Sequence, residues 1–240
     1  MSPERHAASG RALACAGAGA DVIAGVRNPD DGAKLVDEIK SLGCRALAVR
    51  MDLADLPGVR AGIAEAHKHF GRVDILVNNV GIGPENLAET VREEDFDLTI
   101  NINLKGTFFT TQAVAKQMLA QKSGRIINIS SQAGSVGLKG EAIYCISKAA
   151  INHLERCLAF EWASHGITVN GVSPTFIATD GTAPALADPQ FRQQVVLSHI
   201  PRGRNGNPID VAGTVVFLAS PAASLITGAN ILADGGWSVA

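Results

Sequence analysis

The sequence predicts a single α/β domain built on one doubly wound parallel sheet, and three observations carry that expectation. Short β-branched runs such as Arg125-Ile126-Ile127-Asn128-Ile129 read as buried strands. Amphipathic stretches of helical length, Leu56 to Phe70 among them, lie between those runs. A chain of 240 residues with 46% hydrophobic content has room for one full core. The net charge of −2 offers no footprint for nucleic acid or for an anionic membrane surface. Cys15, Cys44, Cys145 and Cys157 are scattered without a CxxC pair, which reads as buried thiols in a reducing cytosol, so a cytoplasmic protein is expected. No apolar run approaches a membrane span, and the N-terminus lacks the apolar core of a signal peptide. His67 and His69 stand two apart, so on a helix they point in different directions and no metal site is expected.

Taken in order, Met1 to Ser9 holds no apolar strand. From Gly10-Arg11-Ala12-Leu13-Ala14 the pattern is helical, and Gly17-Ala18-Gly19-Ala20 turns it into a strand from Asp21 to Val26. The loop Arg27-Asn28-Pro29 leads to a helix from about Asp31 to Leu42. Arg45 to Met51 is the next strand, ending in Asp52-Leu53 before the helix Leu56 to Phe70, and Asp74-Ile75-Leu76-Val77 follows as a strand running into Asn78-Asn79-Val80-Gly81. Arg92 to Lys122 is helical, with Leu104, Phe108, Val114 and Met118 in its apolar stripe; Asn101 and Asn103 sit in its first part, where Asn is disfavoured by propensity. The strand at Arg125 to Ile129 ends in Ser130-Ser131, a loop holds Gly134, Gly137 and Gly140, and a helix carries Tyr144 and Lys148 to about Ala163. Its apolar side is Ile151, Leu154, Leu158 and Trp162. Ile167-Thr168-Val169-Asn170-Gly171-Val172 is a strand that leads into Ser173-Pro174-Thr175-Phe176-Ile177-Ala178-Thr179. Asp180 to Ile200, mixed and broken by Pro, reads as a mobile lid. Pro208 to Ser220 is a helix, and Asn230-Ile231-Leu232 a last strand closing with Asp234-Gly235-Gly236.

Tyr144 and Lys148 are four apart and share one helix face, one turn from each other. A phenol titrates near 10, and an ammonium one turn away favours the phenolate and lowers that value. A hydroxyl delivered from the strand end at Ser131 then shares a substrate oxygen with the phenol, which suits carbonyl/alcohol interconversion. An isolated Tyr and Lys at this spacing is more often an ordinary surface pair; the strand, Ser, glycine loop and helix around it give the pair its weight. Ser131, thirteen residues before Tyr144, with Lys148 four after it, resembles the signature of the classical short-chain dehydrogenase/reductase family. The resemblance runs from about Gly10 to Ala240.

That resemblance implies a Rossmann-like fold and an oxidoreductase moving a hydride between NADP(H) or NAD(H) and a carbonyl or secondary alcohol. Tyr144 would be the general acid/base; Lys148 lowers its pKa and holds the ribose. Ser131 polarises the substrate oxygen, and Asn103 keeps a water that relays protons from Lys148. Asn78-Asn79-Val80-Gly81 looks like the family's Asn-Asn-Ala-Gly element, with Asn79 and Gly81 at the nicotinamide ribose. Asp52, beside Leu53, contacts the adenine; its alternative role is to cap the following helix. Pro174, backbone groups at Ile177 and the Thr179 hydroxyl would bind the nicotinamide amide, although Thr175 replaces the family's Gly and restricts φ. The two long helices would form the bundle of a homodimer or homotetramer, or else be covered within one subunit, and Trp237 would reach a partner subunit.

One departure is large. The family's first strand and glycine-rich turn are absent, roughly ten residues, and in the strand order 3-2-1-4-5-6 that strand is central, so its loss exposes edges on both neighbours. A misassigned start, a shortened or spliced form, or a natural variant that no longer binds cofactor in the usual way would each account for it, and the first two are favoured because the downstream chemistry is intact. No acid stands at the end of the Asp21 to Val26 strand, and Arg27 pairs readily with a 2′-phosphate, which favours NADP(H) over NAD(H). Sugar acids, polyols and 3-oxoacyl groups are the substrates of similar members; Gln132, Glu141 and His199 near the expected pocket favour a small hydroxylated one. The competing function is a non-catalytic binding or regulatory subunit that has lost its phosphate-binding turn.

Overall fold

The computed structural model describes residues 4–179 and 181–239, with side chains from residue 8 onward except at position 195. Six parallel strands form two sheets. Strand β1 (Val22–Val26) pairs with β2 (Ala46–Arg50), Val22 opposite Ala46. The other sheet has the order β3 (Ile75–Asn78), β4 (Gly124–Ile129), β5 (Ile167–Pro174) and β6 (Asn230–Ala233). Strand β5 is buried at every position, as befits a strand covered on both faces, and its one side-chain amide, Asn170, is satisfied by Ile226 O and Ala229 N. Among the described residues β1 and β3 make no ladder with each other, so the sheet is split where the expected first strand is missing.

Helix α1 (Glu4–Gly17) bridges that split. Ala12, Leu13 and Ala16 pack with Val22, Ile39 and Ala46, while Cys15 packs against the core that includes Ile75 and Val77. The helix starts six residues before the expected Gly10 and runs along α9 (Pro208–Ala219). Gly19, at φ 91°, makes the turn into β1, where a side chain would be strained.

Helix α2 (Ala33–Ser41) follows a 3₁₀ turn at Pro29–Gly32, and α3 spans Leu56–Phe70 as its pattern predicts. The cap of α3 is Asp55, whose Oδ1 accepts from Gly58 N at 3.0 Å; Asp52 instead closes a tight turn on Ala54 N. The expected single helix from Arg92 to Lys122 is α4 (Glu93–Ile100), a π-helical stretch at Asn101–Gly106, and α5 (Thr107–Gln121). Helix α6 (Ala142–Trp162) carries the Tyr144 and Lys148 face. In the expected lid lie α7 (Ala183–Ala187), α8 (Pro189–Phe191) and a π turn at Arg192–Leu197; Asp180, its first residue, lies outside the described residues. Val196 and Ile200 of this segment are buried against Phe176, Phe191 and Trp237. Trp237 is therefore only 7% exposed and stacked on Phe176 and His199, which corrects its assignment to a partner contact. Among the described residues no helix is long and apolar enough to cross a membrane and no group of His, Cys, Asp and Glu is arranged to hold a metal.

Candidate active site

The C-terminal ends of β3, β4 and β5 deliver their loops to one edge of the larger sheet, the usual place for a ligand in a parallel sheet. From β4 the chain passes through Ser130 and Ser131 into a 3₁₀ turn lying on α6. Gly134 permits that approach: a Cβ there would stand 2.9 Å from the Lys148 carbonyl carbon. Ser130 Oγ donates to Lys148 O at 3.2 Å, so the strand end and the helix are joined directly. Ser131 is buried; its Oγ accepts from Ala133 N at 3.1 Å and donates to Gln132 Oε1 at 3.1 Å.

Lys148 is 4% exposed and its Nζ donates to Ile129 O at 3.0 Å. The ammonium lies 5.5 Å from the centre of the Tyr144 ring. Two glycines line this pair. A Cβ at Gly81 would be 2.8 Å from Lys148 Nζ and 3.9 Å from Asn103 Oδ1, and one at Gly83 would be 2.9 Å from the Tyr144 ring. Asn103, 1% exposed in the π-helical stretch, clamps the same loop: its Oδ1 accepts from Ile82 N at 2.8 Å and its Nδ2 donates to Ile82 O at 2.7 Å. That Nδ2 also donates to Ser147 Oγ at 2.9 Å, and Ser147 Oγ donates to Tyr144 O at 2.7 Å. Tyr144, Lys148 and Asn103 thus meet around Gly81 and Gly83, and Ser131 stands at the end of β4, on the turn that lies against α6. Asn101, by contrast, is exposed.

The remaining expected residues sit at two flanks. Asn79 accepts a short hydrogen bond from Arg11 Nη2 at its Oδ1. Arg27 is exposed beyond β1, and Asp52 and Leu53 follow β2, next to it. Pro174 ends β5; Ile177 then makes an isolated bridge with Gly206. Thr175 needs no left-handed φ, so the backbone accepts Thr in place of Gly here. The Ile177 carbonyl accepts a short hydrogen bond from the Thr182 hydroxyl, and Thr179 Oγ1 lies 3.2 Å from that same hydroxyl, so Thr182 organises a segment in which sequence reading had singled out only its neighbours. A cleft of about 790 Å³ lies between Ser9 and Gly10 of α1, Lys34 of α2, Thr179 and the lid residue Leu186.

Two carboxyl groups near the constellation are held well above their ordinary range. Burial, and secondly the charge of Glu85, push Glu141 up to about 7 at the start of α6. Burial also pushes Glu155 up to about 7, against the opposing hydrogen bonds from Asn230 and Asn128 and the charges of Arg156 and Lys148. Glu155 was not singled out by sequence; its signal was a lone acid on the apolar side of α6.

The split sheet does not prevent the site from fitting a nicotinamide dinucleotide. Gly81 leaves backbone open beside Lys148, and the buried Arg11 guanidinium keeps an Nε with no partner at the edge where phosphates would lie. The family model described as Enoyl-(Acyl carrier protein) reductase matches residues 4–238. The chain is 45% identical over 202 residues to a 3-oxoacyl-[acyl-carrier-protein] reductase of Staphylococcus aureus strain N315, covering 84% of this chain and 81% of the relative. A short-chain type dehydrogenase/reductase from Mycobacterium marinum superposes with a TM-score of 0.91 at 36% identity, over 98% of this chain and 92% of that one. The chain belongs to the short-chain dehydrogenase/reductase family. A third member, a gluconate 5-dehydrogenase from Burkholderia cenocepacia solved in complex with NADP and tartrate, shares 32% identity and a TM-score of 0.92, over 96% and 90% of the two chains. Like other short-chain dehydrogenases, this one is an NAD(P)-dependent oxidoreductase acting on carbonyl or alcohol groups.

Proposed function

We propose that this short-chain dehydrogenase uses NADP(H) in preference to NAD(H) to interconvert the carbonyl and secondary alcohol of a small hydroxylated substrate of the sugar-acid or polyol type. The observation that carries this reading is Lys148, buried against Ile129 O with Tyr144 one turn away on the same helix. The nicotinamide, when bound, supplies or accepts the hydride. Tyr144 gives its phenolic proton to the carbonyl oxygen in reduction and takes it back in oxidation. Lys148 stabilises the charge left on the phenolic oxygen, and its ammonium faces the backbone of Gly81, where the ribose would lie. Ser131, with Oγ oriented by Ala133 N, shares the substrate oxygen and holds it at the phenol. Asn103 fixes the loop at Ile82, opposite the ammonium, and so keeps a place through which protons exchange with solvent. Asn79 and Gly81, with Pro174, Ile177 and Thr179, would flank the nicotinamide end, and Asp52, Leu53 and Arg27 the adenosine end.

Arg27, with no acid at the end of β1, supports the NADP(H) preference, as does the NADP in the Burkholderia structure. Gluconate 5-dehydrogenase among the relatives supports the sugar-acid class. The test is NADPH- and NADH-dependent reduction of keto-sugar acids and of 3-oxoacyl thioesters. Tyr144→Phe is expected to lower kcat by about 10³-fold with an unchanged circular dichroism spectrum; activity equal to the wild type would remove Tyr144 from the mechanism, and a lower KM for NADH than NADPH would reverse the cofactor preference. A homodimer or homotetramer is supported by Phe160 and Ile146 on α6, 92% and 54% exposed. Sedimentation at micromolar concentration should give two or four chains, and a monomer would end that reading. Four cysteines without a disulfide support a cytoplasmic location, which fractionation of the source cell would check.

A further inference from the structure

Arg11 is the least expected side chain in the molecule. It lies on α1, two turns in, yet is only 6% exposed. Burial, unopposed by any neighbouring charge, lowers its pKa to about 10. Nη2 donates to Asn79 Oδ1, whereas Nε is buried with no partner. Among the described residues no carboxylate forms an ion pair with it. A guanidinium carries five donors in a planar fork, and a buried cation without a counter-ion is costly, so this position favours an incoming anion in both charge and geometry. The place matters as much as the charge. Asn79 immediately follows β3 on the loop that carries Gly81, so the guanidinium bonded to it stands at the C-terminal edge of the strands, beside the gap between β1 and β3. A dinucleotide crosses an open parallel sheet at such a gap.

We propose that Arg11 is the anion-binding residue of the nucleotide site, its guanidinium taking the diphosphate of the dinucleotide. Arg11 thereby does with a side chain what the backbone amides of a glycine-rich turn do at the start of a helix elsewhere. The inference rests on the nicotinamide-dependent reading above. Chain-specific support is that α1 is already helical from Glu4, so Arg11 stands two turns inside the helix with its side chain turned to the Asn79 loop. Asn79 then has a second task, holding the empty guanidinium in place by its one hydrogen bond until phosphate oxygens occupy Nε and the other donors.

The experiment compares wild type, Arg11→Met and Arg11→Lys by NADPH fluorescence titration, and by thermal shift with inorganic pyrophosphate, with sodium chloride of matched ionic strength as control. Wild type is expected to bind NADPH with an affinity that falls as salt rises. Arg11→Met should bind roughly 30-fold more weakly with a flatter salt dependence, and Arg11→Lys should fall between. Pyrophosphate should raise the wild-type melting temperature and leave that of Arg11→Met unchanged. Equal NADPH affinity in wild type and in a folded Arg11→Met would overturn the assignment while leaving the oxidoreductase reading intact. Should Arg11→Met fail to fold, Arg11→Lys and the wild-type pyrophosphate shift decide, and no shift beyond the salt control counts against the site. A pyrophosphate shift that depends on Arg11 without any NADPH binding would uphold the anion site and sink the cofactor reading instead.

Discussion

The two sheet fragments are held in the molecule by different means. In the larger one, side chains are threaded through the strands themselves. Asn78 Nδ2 donates to Asn128 Oδ1 at 2.9 Å and to Thr111 Oγ1 at 2.8 Å, Asn128 donates to Glu155 at 3.4 Å, and Asn230 donates to Glu155 at 3.1 Å and to Asn152 at 3.0 Å. This chain ties β3, β4 and β6 to α6 directly beneath Lys148. Among the described residues the β1–β2 fragment has no such thread. Helix α1 packs it to the rest, and the Arg11 to Asn79 bond reaches across. On the proposed reading the reacting groups lie inside one fragment, whereas a bound dinucleotide would span both.

Glu155→Gln would break the thread's dependence on charge, and its effect should be the larger of two. The folded-state value of Glu155, about 7, lies above its ordinary 4.5, so folding favours the protonated acid. The stability it contributes is fully present below 4.5 and is lost as pH rises through 7. Between pH 5 and pH 8, denaturant unfolding of the wild type should lose on the order of 3 kcal/mol that Glu155→Gln does not lose. Parallel curves for the two proteins would mean that Glu155 is not held protonated. Glu141 pulls the wild type in the same direction, more weakly because it is only half-buried.

Gly81→Ala would sharpen the comparison by disturbing Lys148 without cutting the thread. The new methyl meets the flexible end of Lys148, so the ammonium moves off Ile129 O while the fold adjusts. A fall in kcat of roughly 30-fold, about 2 kcal/mol, with little change in melting temperature is expected. A melting temperature that drops with kcat would show instead that the catalytic loop and the sheet are one mechanical unit.

The difference between the fragments also explains what the sequence revealed. Ser131, Tyr144 and Lys148 announce themselves because their relation is local, a strand end and one helical turn. Helix α3 is legible for the same reason, its bounds at Leu56 and Phe70 following from its local pattern. Arg11 is not, since an arginine on a helix is ordinarily solvated and its burial follows only from how α1 lies across a sheet that does not close. Trp237 misleads in the same way: a tryptophan near a chain end reads as a surface anchor until Phe176 and His199, remote in sequence, are brought against it. Asp52 and Asp55 stand three residues apart with the same capping chemistry, and only the backbone decides which of them meets the helix start.

The π-helical stretch at Asn101–Gly106 has a consequence for the rod in which it sits. An α-helix turns about 100° per residue, and a π turn takes up one residue more per turn. Helix α5 therefore starts out of angular phase with α4 by about one such step. Without that offset a single stripe would face one neighbour along the whole rod; with it, α4 lies against α6 while α5 lies against α3 and strands β3 and β4. The same stretch carries Asn103, whose side chain bonds both backbone groups of Ile82, so the residue that clamps the Gly81 loop and the rotation that fits the rod to two different surfaces lie in one piece of backbone.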